Sequence, residues 1–221
     1  MQFKADLHLH CGDGEIQDPW TPQSKDIIDH AKSLGFNLLS FTCHNKVFYN
    51  EDLAEYAEKQ GILLIPGVER DIEGKHVLIY NINNREAQQL HTFDDLRQLK
   101  QKRKNVLIIA PHPFFLSNIC LGEKLLPNLD IFDAIEYSHF YTFWLNRNKQ
   151  AVELAEKHNK PLVGTSDCHF LSQLGYTYSL IEAEDDIPSI LRSIKQNKIE
   201  LRTKALPSTQ FIKIGSKLFR S

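Results

Sequence analysis

The sequence predicts an α/β fold in which strands and helices alternate within one domain. Eight short apolar runs end in polar residues, and segments with helical spacing separate many of them. A strand followed by a helix, repeated along the chain, favours a mainly parallel sheet with helices outside it, either closed as a barrel or open and doubly wound. No stretch rich in Pro, Gly and Ser divides the 221 residues, so we expect one domain.

The predicted elements follow from hydrophobic periodicity. In 24–34, Ile27, Ile28, Ala31 and Leu34 form one apolar stripe, as in an amphipathic helix. The segment TPQS precedes this helix and is a typical start signal. The predicted strands are 3–10, 37–44, 61–69, 76–82, 105–112, 132–138, 161–169 and 176–183, and the predicted helices are 24–34, 51–60, 93–103, 146–158 and 187–196.

Composition and charge exclude several classes of protein. Hydrophobic residues make up 42% of the chain, enough for a globular core, and the formal net charge is −2. No chain-wide basic field therefore exists to drive non-specific binding to nucleic acids or membranes. Lys4 and Asp6 interrupt any signal peptide at the start, and no apolar run is long enough to cross a bilayer, so we expect a cytoplasmic protein.

The segment ADLHLHCGDGE at 5–15 places ionisable side chains on alternate positions of an apolar run. On an extended strand Asp6, His8 and His10 project to one face, while the intervening leucines project to the other. Two buried imidazoles beside a carboxylate are costly unless something binds them. The pattern therefore indicates a divalent cation, and a half-exposed edge strand is the alternative.

Unusual polar residues recur at the carboxyl ends of the predicted strands. In an α/β barrel these ends share one face, where such folds build their sites. A chain that used histidines only for packing would have no reason to favour strand ends. His76 is the exception, because it begins its strand. The strand-end residues are His10, His44, Glu69, His112, Glu136, Asp167 and His169.

The other histidines have simpler interpretations. His30, His91 and His158 lie in or beside polar helical segments, where an exposed histidine is ordinary. His139 has aromatic neighbours that suit either a substrate wall or buried packing, and we favour packing.

Three cysteines, Cys11, Cys43 and Cys168, each adjoin a histidine and are possible soft metal ligands. On a strand, however, a cysteine points away from its neighbour. This geometry favours small apolar packing residues beside the site over metal ligands.

The set of candidate ligands predicts a transition-metal site. Several imidazole nitrogens together with two carboxylates suit zinc, manganese or iron, whereas calcium and magnesium prefer oxygen ligands alone. Nine or ten such groups exceed what one ion can hold, so they divide naturally into three sites of three or four ligands, with at least one bridging carboxylate. We therefore expect two to three divalent ions.

These motifs resemble those of the PHP family, named for polymerase and histidinol phosphatase. The resemblance runs in order through DLHLH, TCHN, GVE, KHVLIY, APHP and GTSDCH, and it covers most of the chain. It implies a distorted (β/α)7 TIM-like barrel, a metal cluster at the carboxyl ends of the strands, and hydrolysis of phosphoesters. We expect 1–221 to form a single PHP-type domain, with 203–221 as a C-terminal extension packed on the barrel.

The resemblance also implies which residues bind metal. Two ions would share Glu69 as a bridging ligand. The ligands of the first ion would be His8, His10, Glu69 and Asp167. The ligands of the second ion would be Glu69, His76 and His112.

A third ion would be held by His44, His169 and a ligand from the loop after the first strand, where the sequence departs from the family. The family commonly has Asp before the histidine of the second strand, but Cys43 stands here, so an orienting carboxylate is missing. The loop CGDGEIQDP is also longer than usual. Spacing favours Glu15 as the last ligand, and the alternatives are Asp13 and Asp18.

The implied function is that of a stand-alone metal-dependent phosphoesterase. We expect a hydroxide between two metal ions to attack phosphorus, and Asp167 to accept the proton of the attacking water. Lys46, Arg70 and Lys75 follow ligand positions and are candidates to contact phosphate; the alternative is that they are solvated loop charges.

The expected substrate is a phosphorylated metabolite, a nucleotide or an oligonucleotide end. No membrane and no obligatory protein partner are expected. Two other functions stay open at this point: metal-assisted hydrolysis of an amide or ester, and a metal-binding accessory module without catalysis.

Overall fold

The structure is a computed structural model that describes residues 1–15 and 21–218. Within these residues the chain forms ten strands and seven α-helices. The strands are β1 (Gln2–Leu9), β2 (Leu38–Phe41), β3 (Leu63–Leu64), β4 (Gly67–Ile72), β5 (Lys75–Tyr80), β6 (Leu107–Ala110), β7 (Ala134–Ser138), β8 (Leu162–Thr165), β9 (Thr177–Glu182) and β10 (Ile199–Thr203). The helices are α1 (Ser24–Ser33), α2 (Glu51–Lys59), α3 (Asn84–Ala87), α4 (Phe93–Lys102), α5 (Lys149–Lys157), α6 (Ile187–Lys195) and α7 (Ser208–Leu218).

The strands form two five-stranded sheets. The order is β10-β9-β1-β2-β3 in the first sheet and β4-β5-β6-β7-β8 in the second. Four neighbouring pairs are parallel and four are antiparallel, so the expectation of a mainly parallel sheet is wrong. The reversals arise at β5, which follows β4 through a two-residue turn, and at β9, which lies antiparallel to β1. The fold is therefore a mixed α/β fold.

Two backbone bridges join the sheets near the carboxyl ends of their strands. Leu9 at the end of β1 pairs with Cys168 after β8, and His44 after β2 pairs with Glu69 in β4. The backbone amide of His10 also donates to Cys168 O over 3.0 Å. The ends of strands from both sheets therefore meet at one rim.

The five predicted helices lie where their spacing predicts, with small shifts of their ends, whereas α3 and α7 have no counterpart among the predicted helices. Ile27, Ile28 and Ala31 of α1 are buried against the first sheet. Helix α5 begins at Lys149 rather than at 146, because the Asn148 side chain bonds both the amide and the carbonyl of Ser138. Among the described residues, no helix combines the length and the apolar character that a membrane span requires.

The strands β2, β6 and β8 end two to four residues before their predicted ends, so His44, His112 and Asp167 follow their strands rather than end them. Two larger differences also occur. The predicted strand 61–69 splits into β3 and β4 around Pro66, which has no amide hydrogen to donate to a ladder. Strand β10 has no counterpart among the predicted strands. It pairs only at the edge of the first sheet, and its residues are half-buried or exposed, so it lacks an apolar signal.

The C-terminal segment packs beside the loop that follows β7. The Phe211 ring of α7 stacks on Phe140 with ring centroids 4.2 Å apart, and Gln210 Nε2 donates to Ser172 O over 2.7 Å. Thr203, where the predicted extension begins, is the last residue of β10. The segment thus continues from an edge strand of the first sheet onto the rim.

Candidate metal centre

Five histidines surround the carboxylate of Glu69, which is almost completely buried in β4. Each offers one ring nitrogen within 3.5 Å of a carboxylate oxygen. The distances are 2.8 Å for His76 Nδ1, 3.1 Å for His44 Nε2 and His112 Nε2, and 3.5 Å for His8 Nε2 and His10 Nε2. Glu69 therefore occupies the centre of the cluster, which is the position that a bridging ligand needs.

The β4–β5 hairpin explains why His76 joins this cluster although it begins a strand. The turn residues Glu73 and Gly74 have positive φ angles of 51° and 75°, as in a tight two-residue hairpin turn. Because β5 is antiparallel to β4, its first residues lie beside the end of β4, and His76 pairs with Asp71. The start of β5 thus reaches the same rim as the carboxyl ends of the parallel strands.

Asp167 supplies a second carboxylate, in the turn that follows β8. Its Oδ1 lies 3.2 Å from His10 Nε2, 3.5 Å from His8 Nε2 and 3.6 Å from His169 Nδ1. Its φ of 46° is strained for a residue other than glycine, and such strain is found at functional sites. The side chain is 25% exposed, so Asp167 lies at the open side of the cluster, where water or a substrate can reach it.

Glu15 reaches the cluster from the loop that follows β1. Its Oε1 lies 2.6 Å from His10 Nδ1 and accepts the backbone amide of His44 over 2.9 Å, while its Oε2 lies 3.1 Å from His44 Nδ1. The loop depends on Gly14, where a Cβ atom would overlap two buried cysteine sulfur atoms. Glu15 thus contacts the Nδ1 side of two rings whose Nε2 atoms face the centre of the cluster.

The other two loop candidates do not join the described cluster. Asp13 accepts hydrogen bonds from the amide and the hydroxyl of Ser24, over 2.8 and 2.5 Å, at the start of α1. A carboxylate at a helix N-terminus is favoured by the helix dipole, so Asp13 stabilises the start of α1 and does not join the cluster. Asp18 lies outside the described residues.

The two histidines of the implied third site both pack against His10. The His10 ring centroid lies 4.6 Å from that of His44 and 4.3 Å from that of His169. The His44 and His169 centroids are 6.5 Å apart, and among the described residues no compact group of three donors contains both. His44 groups instead with Glu15 and with Glu69, so the third site is the least compact part of the cluster.

The charges in the cluster follow from burial and from the facing partners. Burial would lower the pKa of His10 and His44, but hydrogen bonds with carboxylates raise the pKa to about 9 for His10 and about 10 for His44. Burial would raise the pKa of Glu69 and Asp167, but the surrounding histidines hold both well below their usual range. The metal-free cluster therefore keeps these carboxylates ionised and binds protons on His10 and His44.

Two further buried side chains contact histidines at the nitrogen that faces away from Glu69. His8 Nδ1 lies 2.7 Å from Glu136 Oε1, and His112 Nδ1 lies 3.3 Å from Cys120 Sγ. Glu136 is one of the strand-end residues in the sequence, but its position there predicts no role for it. Cys120 lies in the loop after β6, and no periodic pattern in the sequence places it at the site.

The three candidate phosphate-binding cations have different surroundings. Lys46 is exposed, with Nζ 5.8 Å from the centroid of the Phe48 ring. The Arg70 guanidinium is buried and donates to a backbone carbonyl over 3.0 Å and to Asn45 Oδ1 over 2.6 Å. Lys75 Nζ donates over 2.5 Å to a backbone carbonyl of the loop after β6. The Arg70 guanidinium is thus engaged on the face of β4 opposite to Glu69, whereas Lys46 is exposed to solvent.

His139 is buried beside the cluster without joining a donor group among the described residues. Its Nε2 lies 3.1 Å from Gln173 Nε2, and the same amide donates to Asp167 O over 3.2 Å. Burial lowers the pKa of His139 to about 4, so the ring is neutral near pH 7. These contacts support packing rather than a substrate wall. In the described chain, no donor group includes His30, His91 or His158.

The cysteines beside the site are packing residues, as predicted. Cys11, Cys43 and Cys168 are fully buried in an apolar cluster with residues of α1 and β2. Cys11 Sγ and Cys43 Sγ lie 3.5 Å apart, and all four cysteines of the chain are free thiols.

The donor set fits divalent transition-metal ions. The donor atoms within each of several overlapping groups lie within 4.8 Å of one another, and each group combines imidazole nitrogens with a carboxylate oxygen. The Nε2 atoms of His8 and His10 lie 3.2 Å apart in a fully buried position, where two facing nitrogens need a shared proton or cation. The groups are His8, His10 and Glu69; His8, His112 and Asp167; His10, Asp167 and His169; His10, Glu15 and His44; and His44, Glu69 and His76.

Comparison with known proteins identifies the fold. Residues 146–199 match the family model PHP_C, described as PHP-associated. A two-domain protein from Bacteroides vulgatus ATCC 8482, containing a predicted PHP-like metal-dependent phosphoesterase, is similar with a TM-score of 0.69 at 21% identity, over 92% of this chain. The chain has a PHP-like fold. The resemblance to the PHP family that the motifs indicate is thereby confirmed.

Two other solved structures share this PHP-like fold. PsfC from Pseudomonas syringae PB-5123 has a TM-score of 0.66 at 16% identity, over 99% of this chain and 98% of that one. An amidohydrolase from Chromobacterium violaceum, with bound sulfate and no metal, has a TM-score of 0.56 at 16% identity, over 89% of this chain and 97% of that one. The chain spans 65% of the length of the two-domain Bacteroides protein. No curated protein sequence matches this chain.

Proposed function

We propose that the protein is a metal-dependent hydrolase of phosphate esters. The observation that carries the proposal is the convergence of five histidine nitrogens on the buried Glu69 carboxylate. A cluster of this kind is costly to bury unless it binds cations. Asp167 adjoins it at the open side, where a substrate can enter.

The proposed ligands follow the implied set. Glu69 would be the ligand shared by two ions, and Glu15 would complete a third site that is looser than the other two. We propose zinc, manganese or iron, with two to three ions in all. The ligands would be His8, His10, Glu69 and Asp167 for the first ion, Glu69, His76 and His112 for the second, and His44, His169 and Glu15 for the third.

Bound divalent ions would lower the pKa of a water molecule and neutralise phosphoryl oxygens, which is the chemistry that phosphoester hydrolysis needs. Asp167 is the residue proposed to take the proton from the attacking water, because its carboxylate is ionised and partly exposed. Lys46 is proposed to contact the phosphate from solvent. Lys75 would have to leave its present carbonyl partner to do so.

The proposed substrate is a phosphorylated metabolite, a nucleotide or an oligonucleotide end, hydrolysed in the cytosol without a protein partner. We also propose that the two sheets complete a distorted barrel of the TIM-like type. The bridges from Leu9 to Cys168 and from His44 to Glu69 support this arrangement, because each joins one sheet to the other.

A second candidate function is metal-assisted hydrolysis of an amide or ester. The likeness to an amidohydrolase of the same fold favours it as the rival, since the same donor set would polarise a carbonyl oxygen. A metal-binding module without catalysis is the third candidate.

One experiment separates these functions. The protein, loaded in turn with zinc, manganese and iron, is given an aryl phosphate and the matching aryl ester and aryl amide. Preferential turnover of the phosphate, lost in Glu69→Gln and kept in the exposed control Glu153→Gln, supports the proposal. Turnover of the ester or amide alone supports the second candidate. Metal binding with no turnover across a broad panel supports the third.

A further inference from the structure

We infer that Glu136 is a positioning residue, which orients His8 and His112 toward the metal centre without binding metal itself. The inference rests on the metal binding in the proposed function but not on the nature of the substrate.

The Glu136 carboxylate lies at the meeting point of four strands or strand ends. It is fully buried in β7, between β6 and β8 of the second sheet. Its Oε1 lies 2.7 Å from His8 Nδ1 and accepts the hydroxyl of Thr165, and its Oε2 accepts the backbone amide of His112 over 2.5 Å. Both oxygens are thus used by protein donors, and within the described chain Glu136 belongs to none of the donor groups.

The contact with His8 selects the nitrogen that this ring presents to a metal ion. A carboxylate can only accept hydrogen bonds, so His8 Nδ1 must carry the proton. Nε2 is then the nitrogen left to bind a metal ion, and it lies 3.2 Å from His10 Nε2 and 3.5 Å from Glu69 Oε1. A carboxylate behind a ligating histidine fixes its tautomer and raises its basicity.

The contact with His112 acts on the main chain instead. His112 has a φ of 27°, a conformation that residues other than glycine rarely adopt. Such a residue keeps its conformation only when its surroundings hold it there. The bond from its amide to Glu136 Oε2 supplies that restraint, and the ring then lies with Nε2 3.1 Å from Glu69 Oε1.

Position 136 requires a carboxylate because all three hydrogen-bond partners of the side chain are donors. An amide of the same shape has one acceptor oxygen and one NH2 group. In Glu136→Gln the NH2 group must therefore face at least one donor, either the His112 amide or the pair formed by His8 and Thr165. If it faces His8, it favours the tautomer with the proton on Nε2, and that nitrogen then cannot bind a metal ion at the centre of the cluster.

The test measures metal binding and the His8 tautomer directly. Zinc affinity is measured by competition with a chromophoric chelator, and the protonation of the His8 ring nitrogens by 15N NMR of the zinc-loaded protein. We expect Glu136→Gln to bind zinc about 10- to 100-fold more weakly and, with its NH2 group facing His8, to lose the Nδ1–H form of His8. The control Glu153→Gln, at an exposed position of α5, should match the wild type in both measurements.

A second variant keeps the test decisive if Glu136→Gln does not fold. Thr165→Val removes only the hydroxyl that bonds Oε1 and keeps the shape of the side chain, so it should weaken zinc binding in the same direction but less.

Wild-type affinity together with an unchanged His8 tautomer in the folded Gln variant would overturn the inference. If that variant is unfolded, the same result in Thr165→Val overturns it. A wild type that binds zinc but hydrolyses no phosphate ester contradicts the proposed substrate and leaves this inference standing.

Discussion

His76 Nδ1 lies 2.8 Å from Glu69 Oε1, although the two residues stand on strands that run in opposite directions. This contact ties the start of β5 to the centre of the cluster. It also places a ligand of the proposed second ion against the carboxylate that would bridge to the first.

The first prediction concerns this bridge. Glu69→Gln should fold but lose bound metal and turnover together, because a neutral amide cannot bridge two cations. The loss of activity should exceed the ~10- to 100-fold typical of contacts behind the ligands. Elemental analysis measures the metal content, and the rate of hydrolysis of an aryl phosphate measures the activity. Full metal content with wild-type turnover would show that Glu69 is not a bridge.

The second prediction separates the two described carboxylates of the loop after β1. Glu15→Ala should lose about one metal ion and most of the turnover, because Glu15 contacts both His10 and His44. Asp13→Ala should keep its metal but lower the free energy of unfolding by ~1 kcal/mol, since it removes a contact at the start of α1. Asp18→Ala should also keep its metal. Loss of an ion in either Asp variant, with full metal in Glu15→Ala, would move the assignment to that Asp.

The third prediction concerns removal of metal. The third site is the least compact, so mild chelation should remove about one equivalent first and stop turnover while the pair bridged by Glu69 stays bound. Metal stoichiometry and rate are followed together as the chelator concentration rises. Simultaneous loss of all ions in a single step would contradict a separate, weaker site.

The fourth prediction concerns the pH dependence of stability. Burial lowers the pKa of His139 from 6.5 to about 4, so in this range the unfolded chain binds a proton that the folded chain does not. The stability that His139 contributes is complete above pH 6.5 and is lost as the pH falls toward 4, by about 3 kcal/mol in total.

Denaturant unfolding of the metal-free protein at pH 4.5 and pH 7.5 measures this effect. The free energy of unfolding should fall more steeply in the wild type than in His139→Leu, which removes the titrating group. Equal pH dependence in the two proteins would mean that His139 does not carry the effect.

The fifth prediction distinguishes two of the candidate phosphate-binding cations. Arg70→Met should lower the free energy of unfolding by ~1–3 kcal/mol, because it leaves buried hydrogen-bond acceptors unpaired, and should leave KM unchanged. Lys46→Ala should keep stability and raise KM for a phosphate ester. A raised KM in a folded Arg70→Met protein would show that Arg70 contacts the substrate.

The sequence by itself was sufficient for the features that depend on local spacing. Alternation along a strand predicts that His8 and His10 face the same way, and the two Nε2 atoms lie 3.2 Å apart. The recurrence of polar residues at strand ends predicts a single rim, which the two bridges between the sheets create. Helical spacing likewise predicts the buried face of α1, because periodicity reports which side of an element meets the core.

The tertiary structure alone decided which partners these residues have. Periodicity cannot show that β5 reverses direction and returns His76 to the rim, or that Asp13 turns to Ser24 while Glu15 turns to His10. Nor can it pair His8 with Glu136, which is 128 positions away. Hydrogen bonds of this kind depend on where separate strands meet in space, and that arrangement is set by the packing of the whole chain.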